Sequence, residues 1–315
     1  MADKDLDELR SSAFAIAYRM LGSASDAEDV VQEGFLRLHL AHRGGERIES
    51  PRAYLSTVVS RLALDQLRSA AHRRETYVGE WLPEPLLTSA DDDPARIAEM
   101  ADSVSLAFLV LLESLSPEQR AAFLLYEVFD EPYQRVAEIV GTSEQNARQL
   151  TARARRLVEQ RRPRFEASRE QNEALADRFF AAAEDGDLRG LEELLAHDVV
   201  FRGDGGGKAP ARAMHGRARV ARLLIAGLRT LARHGEFKVR REEVNSQPGA
   251  LFFDREGRLI SVSILDIAEG QVQTVSAIVN PDKLRHIGPV GDLRGLLQER
   301  GRPARRGRPG GEETG

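Results

Sequence analysis

Gln145, Asn146, Arg148 and Gln149 fall within five consecutive residues, and amide and guanidinium side chains at this spacing can make paired hydrogen bonds to the edges of nucleic-acid bases. Arg153, Arg155 and Arg156 follow further along, where cations suit backbone phosphates better. A second group, Arg61, Asp65 and Arg68, recurs at three- and four-residue steps and is continued by His72, Arg73 and Arg74, giving one largely basic helix face. A third, Asp26, Asp29 and Glu33, repeats at the same period and offers an acidic face to a basic protein partner. The polar residues that could serve an enzyme, His197, Asp204, His215, Asp254 and Asp266, show no spacing that fixes two of them together as acid and base. They are expected as surface or satisfied core groups, with no catalytic residue, cofactor or metal site. Without cysteine, disulfides and thiolate metal sites are excluded.

The elements that must carry these groups are legible from periodicity and caps. Leu6, Leu9, Ala13, Ile16 and Met20 share one face of a first helix ending at Leu21-Gly22. Ser25-Asp26-Ala27-Glu28 marks the start of a second, with Val31, Phe35 and Leu38 as its apolar stripe. Ser50-Pro51 starts a third, running to about Arg74 on Leu55, Val58, Val59, Leu62 and Leu67. Four more helices are predicted over 104–115, 117–128, 132–140 and 143–160, the second opening with the capping sequence Ser116-Pro117-Glu118-Gln119. Between the last two, Val140-Gly141-Thr142-Ser143 supplies a left-handed turn and a capping hydroxyl. A short helix, a glycine turn and a polar, arginine-rich helix form a helix-turn-helix pattern.

From about Gln171 the pattern changes to a helix over 172–183, a short helix to Ala196 and strand-like runs over 199–202, 237–241, 250–253, 259–265 and 271–279. Asp254-Arg255-Glu256-Gly257 and Glu269-Gly270 read as hairpin turns. The expected fold class is therefore multidomain. Two all-α modules span 1–75 and 104–165, joined by a linker over 76–103; a mostly antiparallel α+β domain over 170–285 and a flexible tail over 286–315 complete the chain.

Charge is distributed in blocks. The net charge of -5 hides ten acidic residues against Arg96 alone between Glu75 and Glu118, and eight arginines against Glu138, Glu144 and Glu159 between Tyr133 and Arg164. No stretch approaches the roughly 18 uninterrupted apolar residues of a membrane span, and the acidic start MADKDLDELR lacks the pattern of a secretory signal, so a cytoplasmic location is expected.

The runs AYRMLGSASDAEDVVQEGFLRLHL, SPRAYLSTVVSRLALDQLRSAAHRR and SLSPEQRAAFLLYEVFDEPYQRVAEIVGTSEQNARQLTARARRLV resemble, in order, regions 2 and 4 of an extracytoplasmic-function sigma factor. The resemblance implies a protein that binds RNA polymerase core, at the β′ clamp helices and the β flap, and directs it to promoter DNA. It implies that Asp26, Glu28, Asp29, Gln32 and Glu33 dock on the clamp helices, that Arg61, Asp65, Arg68, Arg73 and Arg74 serve the minus-ten element, and that the helix from Ser143 reads the minus-thirty-five element.

The motif Trp81-Leu82-Pro83-Glu84-Pro85, with Asp204-Gly205-Gly206-Gly207-Lys208 and Asn280-Pro281-Asp282-Lys283-Leu284, is similar to the signature of the sigma-J-like subgroup fused to a SnoaL-like domain. That implies a C-terminal cone fold of the nuclear-transport-factor-2 type that regulates the sigma module. On physical grounds, two prolines stiffen the linker around Trp81, making it an anchor for another domain, and Lys208 is expected to meet Glu84 or another linker acid. A small-molecule ligand of this domain fits better than turnover. Two alternatives stand beside this reading: a helix-turn-helix repressor independent of polymerase, and a sigma-fused SnoaL-like enzyme or cyclase.

Overall fold

The computed structural model describes residues 3–75, 77–88, 105–161, 168–209, 213–233 and 237–298. Three mutually packed helices open the chain: α1 (Asp3–Leu21), α2 (Ala24–Arg43) and α3 (Pro51–Glu75). Ala13, Ala17 and Met20 of α1 pack with Ala27 and Val31 of α2 and with Val59, Ala63 and Leu67 of α3. The cap of α2 is Ser23 rather than Ser25: its hydroxyl accepts from the Asp26 N–H at 3.1 Å, so the helix begins two residues earlier than expected.

The second module comprises α4 (Leu106–Leu112), α5 (Pro117–Phe123), α6 (Tyr133–Val140) and α7 (Glu144–Arg161). The expected capping box forms, Ser116 and Gln119 bonding each other's backbone N–H. The helix expected to run regularly to Val128 instead widens into a π turn over Leu124–Val128. One apolar cluster joins α1–α3 to α4–α7, where the sequence suggested a core for each module.

The C-terminal part contains α8 (Arg169–Asp185), α9 (Leu188–Leu194), β1 (Leu195–Asp204), β2 (Met214–His215), α10 (Arg217–Arg233), β3 (Lys238–Val244), β4 (Gln247–Phe253), β5 (Leu259–Ala268) and β6 (Gln271–Ile278). A short 3-10 turn (Pro281–Lys283) and α11 (Leu293–Gln298) follow. The sheet order is β2-β1-β6-β5-β4-β3. The sheet is mostly antiparallel, as expected, with one parallel pairing, β1 on β6, and α10 is a helix beyond those expected. The turn between β5 and β6 places Glu269 and Gly270 at positive φ, as a two-residue hairpin needs. Asn245 and Ser246 do the same between β3 and β4.

One face of the sheet is filled by Phe179 and Phe180 of α8, Leu191 of α9 and Val220 and Ile225 of α10, packed on Leu265 and Val275. This is the α+β arrangement expected of a SnoaL-like domain. The other face buries Leu251, Val262, Ile264 and Ile278 against Leu82 of the linker and Leu106 of α4, so the linker is part of a core shared with the sheet. Residues 286–298, expected as part of a flexible tail, instead lie against the sheet. Leu259 N–H donates to Pro289 O at 2.8 Å and Gly291 N–H to Leu259 O at 2.9 Å, fastening residues up to α11 to the sheet. The linker acids Asp91, Asp92, Asp93, Glu99 and Asp102, and residues 299–315, lie outside the described residues.

Candidate functional site

On α7, Ala147, Thr151, Ala154 and Val158 are buried and turn the opposite face outward. Gln145, Asn146, Arg148, Gln149, Arg153, Arg155 and Arg156 are all exposed. The start of the helix is tightly set. Gly141 ends α6 in the left-handed conformation at φ 76°, Asn146 N–H donates to Ser143 Oγ at 3.2 Å, and Asn146 Nδ2 donates to Thr142 Oγ1 at 2.8 Å. The Arg148 guanidinium lies 4.5 Å from the Tyr133 ring centroid and pairs with Glu144, which aims it before any ligand arrives. Arg155 pairs with Glu127 of the π turn, its Nε at 3.0 Å. That bond and the charge of Glu127 raise the Arg155 pKa.

Arg61, Asp65 and Arg68 share an exposed face of α3, but this face is turned to the second module. Arg61 Nη2 donates to Glu138 O of α6 at 3.1 Å, and Arg68 Nε donates to Glu118 Oε1 of α5 at 3.0 Å. Arg135 of α6 donates to Ala53 O at 3.2 Å and to Thr57 Oγ1, and Ser56 Oγ donates to Glu131 at 2.9 Å. Beneath them Arg120, which nothing in the sequence pattern singles out, is almost fully buried. Its Nη2 donates to Arg19 O at 3.0 Å and its Nη1 pairs with Glu113. Burial lowers its pKa to about 9, still above neutrality. The side chains of His72, Arg73 and Arg74 lie outside the described residues.

The α2 face holds Asp29 and Gln32 exposed and Asp26, Glu28 and Glu33 half-buried. Glu28 pairs with Arg10, and Glu33 with Arg37 at 2.7 Å. Leu36 and Leu40, at one-turn steps beyond Gln32, are 51% and 55% exposed. Sequence pattern alone did not mark these two leucines as exposed beside the acids.

The three separated motifs meet at one junction between linker, α1–α2 and sheet. Glu84 is buried and caps α2 from 60 residues away. Its Oε2 accepts from Ala24 N–H at 2.8 Å and Ser25 N–H at 3.1 Å, and its Oε1 from Ser23 Oγ at 3.1 Å. A carboxylate there meets unpaired N–H groups and the positive end of the helix dipole. Tyr18 OH donates to Glu84 O at 2.6 Å and accepts from Asn245 Nδ2 at 2.7 Å. Asn245 in turn exchanges bonds with Leu86, N–H to O at 2.8 Å and Oδ1 from N–H at 3.0 Å.

Asp204, wholly buried, accepts from Leu82 N–H at 2.8 Å, from Tyr77 OH and from Lys283 Nζ at 2.7 Å. Lys283 Nζ also donates to Leu82 O and sits 4.1 Å from the Trp81 ring centroid. Burial, then the bond to Asp204, pushes the Tyr77 phenol well above its ordinary value. Trp81 lies against Gly22, where an added Cβ would come within 2.9 Å of its ring. In the glycine loop, a Cβ at Gly206 would fall 2.3 Å from Asn280 Nδ2, and Asn280 Nδ2 donates to Tyr77 OH at 2.9 Å. Lys208 pairs with Asp282, not with a linker acid as expected, because Glu84 is taken up by α2. His286 is held to Pro85 O at 2.7 Å.

The residues weighed for catalysis do not converge. His197 and His215 are exposed, Asp204 is engaged in the junction, and Asp254 binds Arg258 at 2.8 Å and two backbone N–H groups of its own turn. Asp266 faces Gln247 at 3.4 Å, and burial raises its pKa. Among the described residues no group of three or more His, Cys, Asp and Glu could hold a metal ion, and no helix is long and apolar enough to cross a membrane.

Residues 6–73 match the model of Sigma-70 region 2 and residues 105–158 that of Sigma-70, region 4. The ECF RNA polymerase sigma factor SigJ of Mycobacterium tuberculosis is 40% identical over 314 residues, covering 96% of this chain and 99% of that protein. The probable ECF RNA polymerase sigma factor SigI of the same organism is 34% identical over 277 residues, covering 85% and 90%. The crystal structure of M. tuberculosis SigJ superimposes with a TM-score of 0.72 at 37% identity, over 90% of this chain and 98% of that one. With regions 2 and 4 in order and a similar relative matched along nearly its whole length, the chain belongs to the extracytoplasmic-function RNA polymerase sigma factors, the transcription initiation factors that direct polymerase to promoters.

Proposed function

We propose that the structure is the closed, DNA-incompetent state of this sigma factor, held shut by its C-terminal domain. In the open state the acidic face of α2, with Leu36 and Leu40, docks on the β′ clamp helices and the second module on the β flap. The Arg61–Arg74 face of α3 then takes the opened minus-ten strand, and α7 enters the major groove at the minus-thirty-five element. All of this takes place in the cytoplasm, where core polymerase and promoter DNA are found.

The observation that carries the proposal is a conflict of partners. Arg61 and Arg68 are bonded to Glu138 and Glu118 of the other module, so α3 cannot offer them to DNA until the modules part. The linker that would let them part is pinned at Leu82 by Asp204 and at Leu86 by Asn245, and the start of α4 is held at Leu106, whose N–H donates to Gln247 at 2.8 Å. The sheet face opposite this junction is filled by the domain's own phenylalanines, which favours release by polymerase docking on α2 over entry of a ligand into the domain. No enzymatic step enters this scheme.

Run-off transcription with core polymerase tests it, comparing full-length protein, a truncation after Pro163 and Trp81→Ala. Weakening the grip on the linker should change transcript yield in both variants while the promoter start site stays the same. Equal yields from all three would overturn the regulatory part; a full-length protein that supports no promoter-dependent transcript would overturn the rest.

A further inference from the structure

The helix that sequence periodicity does not announce carries a charge pattern unlike the rest of the chain. From Arg217 to Arg233, α10 contains Arg217, Arg219, Arg222, Arg229 and Arg233 and no acidic residue, in a protein of net charge -5. Its apolar residues Val220, Ala221 and Ile225 are buried against the sheet. At about 100° per residue, Arg219, Arg222, Arg229 and Arg233 all fall within one sector of about 80° beside this buried stripe, and all four are exposed. With a rise of about 1.5 Å per residue the column is about 21 Å long.

Its guanidiniums are left largely without acidic partners by the fold. Among the described residues no carboxylate lies within ion-pair distance of Arg222, Arg229 or Arg233. Asp185 and Asp187 flank Gly186 of the cleft, and Asp187 is turned back to cap α9 through Gly190 N–H at 3.0 Å. Arg222 Nε donates to Ala218 O at 2.8 Å, which steadies its stem. Arg229 is laid along the α8–α9 turn, close enough that a Cβ on Gly186 would meet its Nη2 at 3.2 Å. Together Arg222, Arg229, Thr230 and Arg233 line a cleft of about 360 Å³ with Gly186 and Ile225.

We infer that this column is a third DNA-contacting surface, which binds the phosphate backbone of promoter DNA without reading sequence. Guanidinium forks match phosphate oxygens in pairs, and a run of cations without acids is the footprint of a polyanion. A protein partner fits less well: between the arginines the exposed residues are Ala218, Ala226, Gly227 and Ala232, not the aromatic or large aliphatic anchors that centre protein interfaces. The inference uses the family to which the chain belongs and does not depend on the closed state proposed above.

Holoenzyme assembled from full-length protein and core polymerase, bound to a promoter fragment over a series of salt concentrations, provides the test. The triple variant Arg222→Gln, Arg229→Gln, Arg233→Gln should bind roughly tenfold more weakly at low salt, with a slope of log affinity against log salt shallower by about two to three, near 0.9 for each phosphate that is no longer neutralised. The corresponding triple Lys variant should keep most of the slope, which separates removal of charge from damage to the fold. A slope unchanged in the Gln variant, a Lys variant as defective as the Gln variant, or a defect in binding core polymerase rather than DNA would each overturn the inference.

Discussion

Lys283 Nζ lies 2.7 Å from Asp204 Oδ2 in a junction where both side chains are almost wholly withdrawn from water. Each charge is tolerated there only because of the other and because the linker backbone fills the remaining valences, Leu82 N–H on the aspartate and Leu82 O on the lysine. The pair therefore reports whether the linker is in place, and a linker that leaves exposes two mismatched polar groups on the domain. Lys283→Met should cost about 3 to 5 kcal/mol, the usual result of leaving a buried charge unpaired. Adding Asp204→Asn should return part of it, since the neutral amide no longer needs a cation. Denaturant unfolding of the wild type and these two variants checks this; a double variant no better than Lys283→Met alone would mean that the two groups are not coupled.

Trp81 is the only tryptophan and packs on Lys283 and Gly22, so its emission follows linker docking and makes the pH dependence of the junction measurable. The neutral Tyr77 phenol donates to Asp204, and its pKa is raised in the folded protein. A raised pKa means that the folded state keeps a proton the unfolded state releases, so its stabilisation is complete below about pH 10 and fades as pH climbs beyond it. Trp81 emission should be flat between neutral and mildly alkaline pH and then shift. Tyr18 is raised by burial in the same direction, so the informative quantity is the difference from Tyr77→Phe, which should be less stable at neutral pH and lose less above about pH 10. Parallel curves for the two proteins would remove Tyr77 from the junction's pH response.

Glu84 should matter to α2 more than to the linker that carries it. Glu84→Ala uncovers the Ala24 and Ser25 N–H groups at a helix start, and loss of such a cap costs about 0.5 to 2 kcal/mol. Glu84→Gln, which keeps an acceptor but loses the charge facing the helix dipole, should cost less. Amide hydrogen exchange at Ala24, Ser25 and Asp26 should speed up in the order wild type, Gln, Ala. Unchanged exchange at these three amides would show that the cap is only geometric.

How much of this was legible in the sequence depends on the distance over which the cause acts. The Ser116–Gln119 box and the Glu269-Gly270 turn are local, their partners lie within a few residues, and composition reveals them. The apolar run of α10, Leu223-Leu224-Ile225 followed by Gly227, fits a strand or a helix equally well until packing chooses, so pattern assigns it to neither. Tyr18, Arg120 and Asn245 are ordinary residues by pattern; they become buried bridges only when segments 66 to 227 residues apart come together. The linker motif showed stiffness and an exposed tryptophan in prospect, but the destination of Glu84, the N-terminus of α2, follows from tertiary placement alone.

Separation of the two sigma modules should be the step that limits DNA binding by the protein without polymerase. The Arg68–Glu118 pair is exposed, so neutralising it in Glu118→Gln should change stability by less than about 1 kcal/mol. Glu118→Arg places like charges against each other at the same site and should loosen the closed arrangement, raising promoter affinity of the free protein. Fluorescence anisotropy with a labelled promoter fragment measures it. Affinity that rises no further in Glu118→Arg than in Glu118→Gln would argue that the meeting of the modules does not restrain α3.

On α7 two arginines divide the work of recognition according to how they are held. Arg148 stands in the second turn, braced by Glu144 and the Tyr133 ring, and a pre-aimed guanidinium is what bidentate bonding to one base pair requires. Arg156 lies two turns further along on the exposed face, with reach to phosphate. In holoenzyme binding assays Arg148→Ala should lose about 1 to 3 kcal/mol on the preferred promoter and much less on a promoter altered at the contacted base pair. Arg156→Ala should weaken both promoters alike and make the salt slope shallower by about 0.9. Discrimination that survives Arg148→Ala intact would move the reading of sequence away from this side chain and toward Gln145, Asn146 and Gln149, which are exposed in the same first two turns of α7.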